Sequence, residues 1–484
     1  MTDTPPRHHS DARHKAAFSR ILLAAGIWGS LGLAAPASAQ TTPESQKILA
    51  ADTSTGDFFA YSLAVLDGYA TIGANQDDDN GLDSGSAYLF DLSIDAPFGA
   101  QVYKLLASDG APGDRFGASI AFAHLGCGNT CLTHSATPQG IVVVGANGHD
   151  GIDSDSGAAY IFTAATGAQL HKLTPNDTAK NDFFGDSVAT DAARVAVGAQ
   201  GSSGASLDSG AVYVFSASTG SQILKLFATD GQTNDFFGRS IDLDNGLIVV
   251  GANGDDDNGD GSGSAYIFNA STGAQIHKLL PNDGAPFDHF GNSVAIDAGI
   301  VVVGSFSDDD NGSLSGSAYL FDAVTGLQIA KLVPNDGAVN ELFGLSVAID
   351  NGVVAVGAAA DNDNGSNSGS AYLFKAASGA QLKKLLPSDG ETGEQFGWSI
   401  AIQNDTVIGG AWKDDDRGIL GGSAYAFDLT CPIDLNNDGV VDNGDITVFI
   451  TLLLAQSLLV DFNGDGIIDN GDIIAFIALF LAGC

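Results

Sequence analysis

The chain has 484 residues, long enough for two or three domains, and carries 19 Lys+Arg against 58 Asp+Glu. That balance excludes a nucleic-acid-binding protein, because phosphate recognition needs clustered Lys and Arg. A hydrophobic content of 44% excludes a disordered polymer, and 63 glycines announce many turns.

Residues 1–39 read as a secretory signal peptide. Arg7, Arg13, Lys15 and Arg20 form a basic start, the stretch from Ile21 to Ala35 is apolar, and Ala37-Ser38-Ala39 is a cleavage signal. An uncleaved N-terminal anchor is the alternative. The mature chain is expected from Gln40, extracellular or at the cell surface, with no later stretch able to span a bilayer. Export makes disulfides the natural reading of the four cysteines, paired as Cys127–Cys131 and Cys431–Cys484.

Residues 40–430 repeat. Phe-Gly recurs at Phe116, Phe184, Phe237, Phe290, Phe343 and Phe396, with Phe59-Ala60 as a degenerate first copy. The last four intervals are each 53 residues, and the interval after Phe116 is longer by a loop containing Cys127 and Cys131. Each unit holds four strand-like runs, A to D, separated by turn residues, which predicts propeller blades. In the fifth unit these runs are Phe290 to Ile296, Ile300 to Gly304, Ser317 to Phe321 and Gln328 to Leu332. Tyrosines from Tyr88 to Tyr425 mark seven C strands. Lysines from Lys47 to Lys384 mark seven D strands, offset by one, so the segment around Lys47 should complete the last blade and close the ring. Phe-Gly, Gly-Ala and Ser-Gly-Ser-Ala-Tyr in this order resemble FG-GAP repeats, which form the propeller of integrin α-chains and of bacterial surface proteins. The resemblance implies an all-β seven-bladed propeller that binds an extracellular protein or glycan ligand.

Acidic residues fall mainly in the D-to-A connections and the B–C loops. Asp77, Asp79, Asp255, Asp257, Asp308, Asp310, Asp361, Asp363, Asp414 and Asp416 are weaker candidate cation sites, with solvated Asx turns as the alternative. This end of the propeller is expected to be strongly anionic and the A–B end nearly neutral. Integrin calcium loops lie between strands A and B, where this chain has tight turns, so those positions do not carry over. No catalytic constellation stands out, and the chain reads as a non-enzyme, with a polysaccharide hydrolase working through one of its many carboxylate pairs as the alternative. Trp398 and Trp412 read as core or rim packing, with a sugar platform as the alternative.

Residues 431–484 change character. Asp434, Asn436, Asp438, Val440, Asp442 and Asp445 take positions 1, 3, 5, 7, 9 and 12 of a calcium loop, with Gly439 at the sharp turn. Asp461, Asn463, Asp465, Ile467, Asp469 and Asp472 repeat the pattern 27 residues on. Each loop leads into an apolar stretch, from Ile446 to Ala455 and from Ile473 to Ala482, and the two read as helices packed together. Asp at position 12 and one helix per loop resemble dockerin. The resemblance implies a small α-helical domain with two calcium ions and a cohesin-like or cell-surface partner. Asn443-Gly444 and Asn470-Gly471 depart from the usual partner-reading residues. The expected function is a calcium-dependent binding or adhesion protein; the alternative is a carbohydrate-binding subunit of an extracellular polysaccharide-degrading assembly.

Overall fold

The computed structural model describes residues 41–42, 44–92, 99–124, 138–151, 153–204, 206–429, 443–454, 471, 473, 474, 476 and 477. The expected signal peptide, both expected cysteine pairs and most of the candidate C-terminal calcium-loop positions lie outside these residues.

The B strands explain why the repeats stack as blades. Runs such as Ile141–Ala146 and Leu247–Ala252 are apolar along their whole length and buried on both faces. Such a strand needs a neighbour above and below, as well as on either side. Each repeat forms one four-stranded antiparallel sheet, and the fourth spans Ser240–Asp244, Leu247–Ala252, Ser264–Asn269 and Gln275–Leu279. In the fifth blade the structure gives Ser293–Asp297, Ile300–Ser305, Ser317–Asp322 and Gln328–Leu332, close to the runs expected from sequence.

The hydrophobic core is divided into wedges between neighbouring blades. One wedge joins Ile161 of blade 2 to Val195, Tyr213 and Phe215 of blade 3, and an equivalent one joins Ile48 and Ile408 of blade 7 to Phe59 and Phe90 of blade 1. The motif phenylalanine anchors each wedge. Phe290 is fully buried and meets Tyr319 and Phe321 edge-on, with centroids 5.5 and 5.8 Å away. Burying one such ring contributes about 1.5–3 kcal/mol.

The rest of the motif clamps blade to blade. Ser62 Oγ donates to the Gly117 carbonyl at 2.8 Å, and the same bond recurs from Ser119, Ser187, Ser240, Ser293 and Ser346 to the next Phe-Gly glycine. Ser399 closes the circle on the Ala60 carbonyl at 2.7 Å. Close approach accounts for the glycines: at φ +93°, a Cβ on Gly117 would lie 2.3 Å from the Ser86 carbonyl oxygen.

Closure is by the N-terminal segment, as expected. Gln46–Ile48 pairs antiparallel with Ser423–Asp428, placing Lys47 opposite Tyr425. Just before it, Thr41–Thr42 pairs in parallel with the outer strand of blade 6, Ala380–Leu385. After the propeller, Asn443–Leu454 forms a helix where one was expected.

A candidate ligand face built from lysine–aspartate clusters

The first aspartate of each B–C run is set by its own loop. Asp255 is buried, and its Oδ1 accepts the Asp257 N–H at 3.0 Å, closing an Asx turn. Its Oδ2 accepts the Tyr266 hydroxyl at 3.0 Å and Lys278 Nζ at 2.9 Å. Lys278 projects from strand D of the same blade and also meets Asp230 at 2.8 Å and Asp257 at 2.6 Å. Its ammonium lies 5.3 Å from the Tyr266 ring centroid, within cation–π range.

Five blades repeat this arrangement. Lys104 holds Asp52, Asp77 and Asp79. Lys331 holds Asp283, Asp308 and Asp310. Lys384 holds Asp336, Asp361 and Asp363. Lys47 holds Asp389, Asp414 and Asp416 across the closing seam. The structure therefore brings the ten candidate cation ligands together in five pairs, each with a lysine ammonium between its carboxylates. Among the described residues, no group of three or more His, Cys, Asp or Glu is arranged to hold a metal ion.

Electrostatics follow the geometry. Burial works against the Lys278 charge, but hydrogen bonds to Asp230, Asp257 and Asp255 outweigh it and hold its pKa above the ordinary lysine value. Burial likewise opposes ionisation of Asp230, yet Lys278 holds that carboxyl below its usual range.

A second set of carboxylates lies two residues before each motif phenylalanine. Asp288 accepts the Ala285 N–H at 2.7 Å, and Glu394 accepts the Glu391 N–H at 2.8 Å. Both are buried. Burial, reinforced by neighbouring aspartates, pushes Asp288 up to about 6 and Glu394 up to about 7.

Two blades depart from the pattern. In blade 2, His149 stands in place of the first aspartate; its Nδ1 lies 2.9 Å from Asp114 and its Nε2 2.7 Å from Lys172. In blade 3, Ser202 and Gly204 replace both loop aspartates, and Lys225 pairs with Asp177 at 2.7 Å.

The opposite end is not neutral, contrary to expectation. The A–B turns surround a cavity of about 580 Å³ lined by Asp67, Asp191, Asp244, Asp297 and Asp350. One or two acids per turn look minor along the sequence, but the closed ring gathers them at one mouth. Several clasp the next blade: Asp297 accepts the Asn351 N–H at 3.0 Å, and Asp350 accepts that of Asn404.

Trp398 and Trp412 meet at the closing seam with centroids 5.1 Å apart, and Phe58 and Tyr61 pack against them. All four are half-buried. Strand-D side chains also serve as clasps that sequence reading missed. Gln328 Oε1 accepts the Asn282 N–H at 2.9 Å, and His277 Nε2 contacts the Val324 carbonyl at 2.9 Å. The signal was present, since Gln recurs in phase with Lys along the D strands.

Of the twelve candidate calcium-ligand positions in the C-terminal repeats, only Asp445 falls in the described residues. It is buried in the first turn of the helix Asn443–Leu454. The Phe449 ring stacks on that of Phe476, its equivalent in the second repeat, with centroids 3.9 Å apart. No described helix is long and apolar enough to cross a membrane.

A family model for the FG-GAP repeat matches residues 43–90, 168–215, 221–268, 274–321, 327–374 and 380–427. The unit with the insertion after Phe116 is not among the matched segments. No curated protein matches the chain. Among solved structures, the computationally designed Ika8 protein aligns at 13% identity and a TM-score of 0.45, covering 79% of this chain and 99% of that one. With more than half of its length matched in register with the blades, the chain belongs to the FG-GAP repeat family.

Proposed function

We propose that this protein is a secreted or cell-surface, non-enzymatic binding protein, held in place through a calcium-dependent, dockerin-like C-terminal module. The observation that carries the binding reading is the commitment of the polar side chains on the B–C face. Carboxylates, tyrosines and lysines there form a repeated structural lattice, and among the described residues these groups are turned to one another rather than to a free substrate position.

Calcium belongs in the C-terminal loops on this reading. The propeller carboxylate pairs already have an internal cation. The C-terminal loops offer oxygen ligands at calcium spacing, and Asp445 at position 12 is buried. Asp434, Asn436, Asp438, Val440, Asp442 and Asp445 would hold one ion, and Asp461, Asn463, Asp465, Ile467, Asp469 and Asp472 the second. Washing source cells with a calcium chelator tests the docking. Release of the protein into the wash supports it, and retention on the cells removes its support.

A second reading, a carbohydrate-binding subunit of a polysaccharide-degrading assembly, is favoured by the half-buried group Phe58, Tyr61, Trp398 and Trp412. Affinity electrophoresis in polysaccharide gels discriminates the two. Retardation abolished by Trp398→Ala supports the second reading.

A further inference from the structure

We propose that blade 3 binds a carboxylate supplied from outside the chain, received by Lys225 and Tyr213. The argument rests on comparison around the ring. In blades 1, 4, 5, 6 and 7 the aspartate eleven residues before the C-strand tyrosine accepts from both the tyrosine hydroxyl and the lysine ammonium through one oxygen. Ser202 occupies that position in blade 3, and Gly204 occupies that of the second aspartate.

The two donors nevertheless keep their places. Lys225 Nζ lies 4.8 Å from the Tyr213 ring centroid, against 4.9 Å for Lys384 and Tyr372. Tyr213 is fully buried, and its hydroxyl lies near Lys225, Ser202 and Asp177 without closing a well-formed hydrogen bond to any of them. A buried hydroxyl with no well-formed hydrogen bond is costly, so the position favours a better-placed acceptor. One oxygen of a guest carboxylate, set where Asp255 Oδ2 lies in blade 4, would accept from Tyr213 and Lys225 together. The buried Ser202 hydroxyl borders the same place.

Charge and access agree. Blade 4 gathers Asp230, Asp235, Asp255 and Asp257 around one lysine, whereas blade 3 gathers Asp177 and Asp182. A guest monocarboxylate leaves blade 3 no more acidic than its neighbours. The Lys225 side chain is 26% exposed, against 16% for Lys278 and 19% for Lys331, so it is more open to solvent than these counterparts. The ligand class is a small monocarboxylate group, either free or carried on the Asp or Glu side chain of another protein.

Thermal unfolding of the full chain tests this. Sodium acetate and N-acetyl-aspartate amide are each compared with sodium chloride at equal ionic strength and neutral pH. The wild type should gain about 1–2 °C at ligand roughly tenfold above its dissociation constant. Ser202→Asp supplies the missing carboxylate in cis and should erase that gain. Tyr213→Phe should melt normally in chloride and respond less to acetate. A larger gain with the capped aspartate than with acetate identifies a protein side chain as the source; an equal or smaller gain identifies a free carboxylate. The proposal is overturned if neither carboxylate raises the wild-type melting temperature above chloride, or if Ser202→Asp gains as much as the wild type.

Discussion

A lysine facing three aspartates is stable only because each group removes a cost the others would bear. The buried Asp361 has Tyr372 and Lys384 as partners on one oxygen and a backbone N–H on the other. Removing a hydroxyl from such a site leaves an acceptor short by one bond. Tyr266→Phe should therefore destabilise the protein by about 1–2 kcal/mol in urea unfolding, while Tyr213→Phe, whose hydroxyl has no such partner, should cost under about 0.5 kcal/mol. Equal costs would show that the hydrogen bond to the aspartate contributes nothing. The carboxylates before the motif phenylalanines carry the opposite sign. Glu394 is pushed up to about 7, first by burial and then by Asp414 and Asp389. A group whose folded pKa is raised contributes stability below its unfolded value and loses that contribution as pH rises through the folded one. The loss falls between about pH 4.5 and about pH 7. Glu394→Gln keeps an acceptor for the Glu391 N–H, so it should match the wild type near pH 4.5 and exceed it by roughly 1–2 kcal/mol at pH 8. A difference that stays constant between those pH values would show that ionisation of Glu394 is not the cause.

Strands and turns were legible in the sequence because each obeys a local rule. The Ile-Val-Val-Val-Gly-Ala run at Ile141–Ala146 is a strand buried on both sides, and the D strand Gln328–Leu332 was placed to the residue. The offset of the lysines revealed even the closing strand. The role of those lysines was hidden, because spacing shows that Asp308 and Asp310 share a loop but not that Lys331, on the outer strand, folds back over them. The acidic cup at the A–B end was hidden for the same reason: Asp67 and Asp350 line one cavity only when the ring closes. Closure itself depends on a short element. Deleting residues 41–48 removes Lys47 from Asp414, Ile48 from the blade 7–blade 1 wedge, and the pairing partner of Ser423–Asp428. Leaving a buried carboxylate unpaired alone costs about 3–5 kcal/mol. The truncated protein should unfold at much lower urea and, through the freed strand edge, elute as dimers or larger species in size-exclusion chromatography. A monomer of wild-type stability would mean that the ring does not need this strand.

At the scale of the whole molecule, two ways of handling negative charge coexist in one chain. In five blades the propeller gathers its acids around lysines that are part of the fold, so a cation already stands between the B–C carboxylates. The C-terminal repeats have no lysine or arginine at all between Cys431 and Cys484, and their aspartates recur at the spacing a calcium loop would use. Without a cation those carboxylates repel one another, and the stacking of Phe449 on Phe476 has to hold the two repeats against that repulsion. Calorimetry of the full chain should then resolve two transitions of different character. Adding a calcium chelator should lower or abolish the one belonging to residues 431–484 and leave the propeller transition within about 2 °C, since binding stabilises only the part that holds the ion. Aspartate-to-asparagine changes at Asp434 and Asp461 should reproduce the chelator effect in calcium-containing buffer. If the chelator instead lowered the propeller transition and those two changes did nothing, calcium would have to be assigned to the B–C loops, in competition with the lysines for the same oxygens.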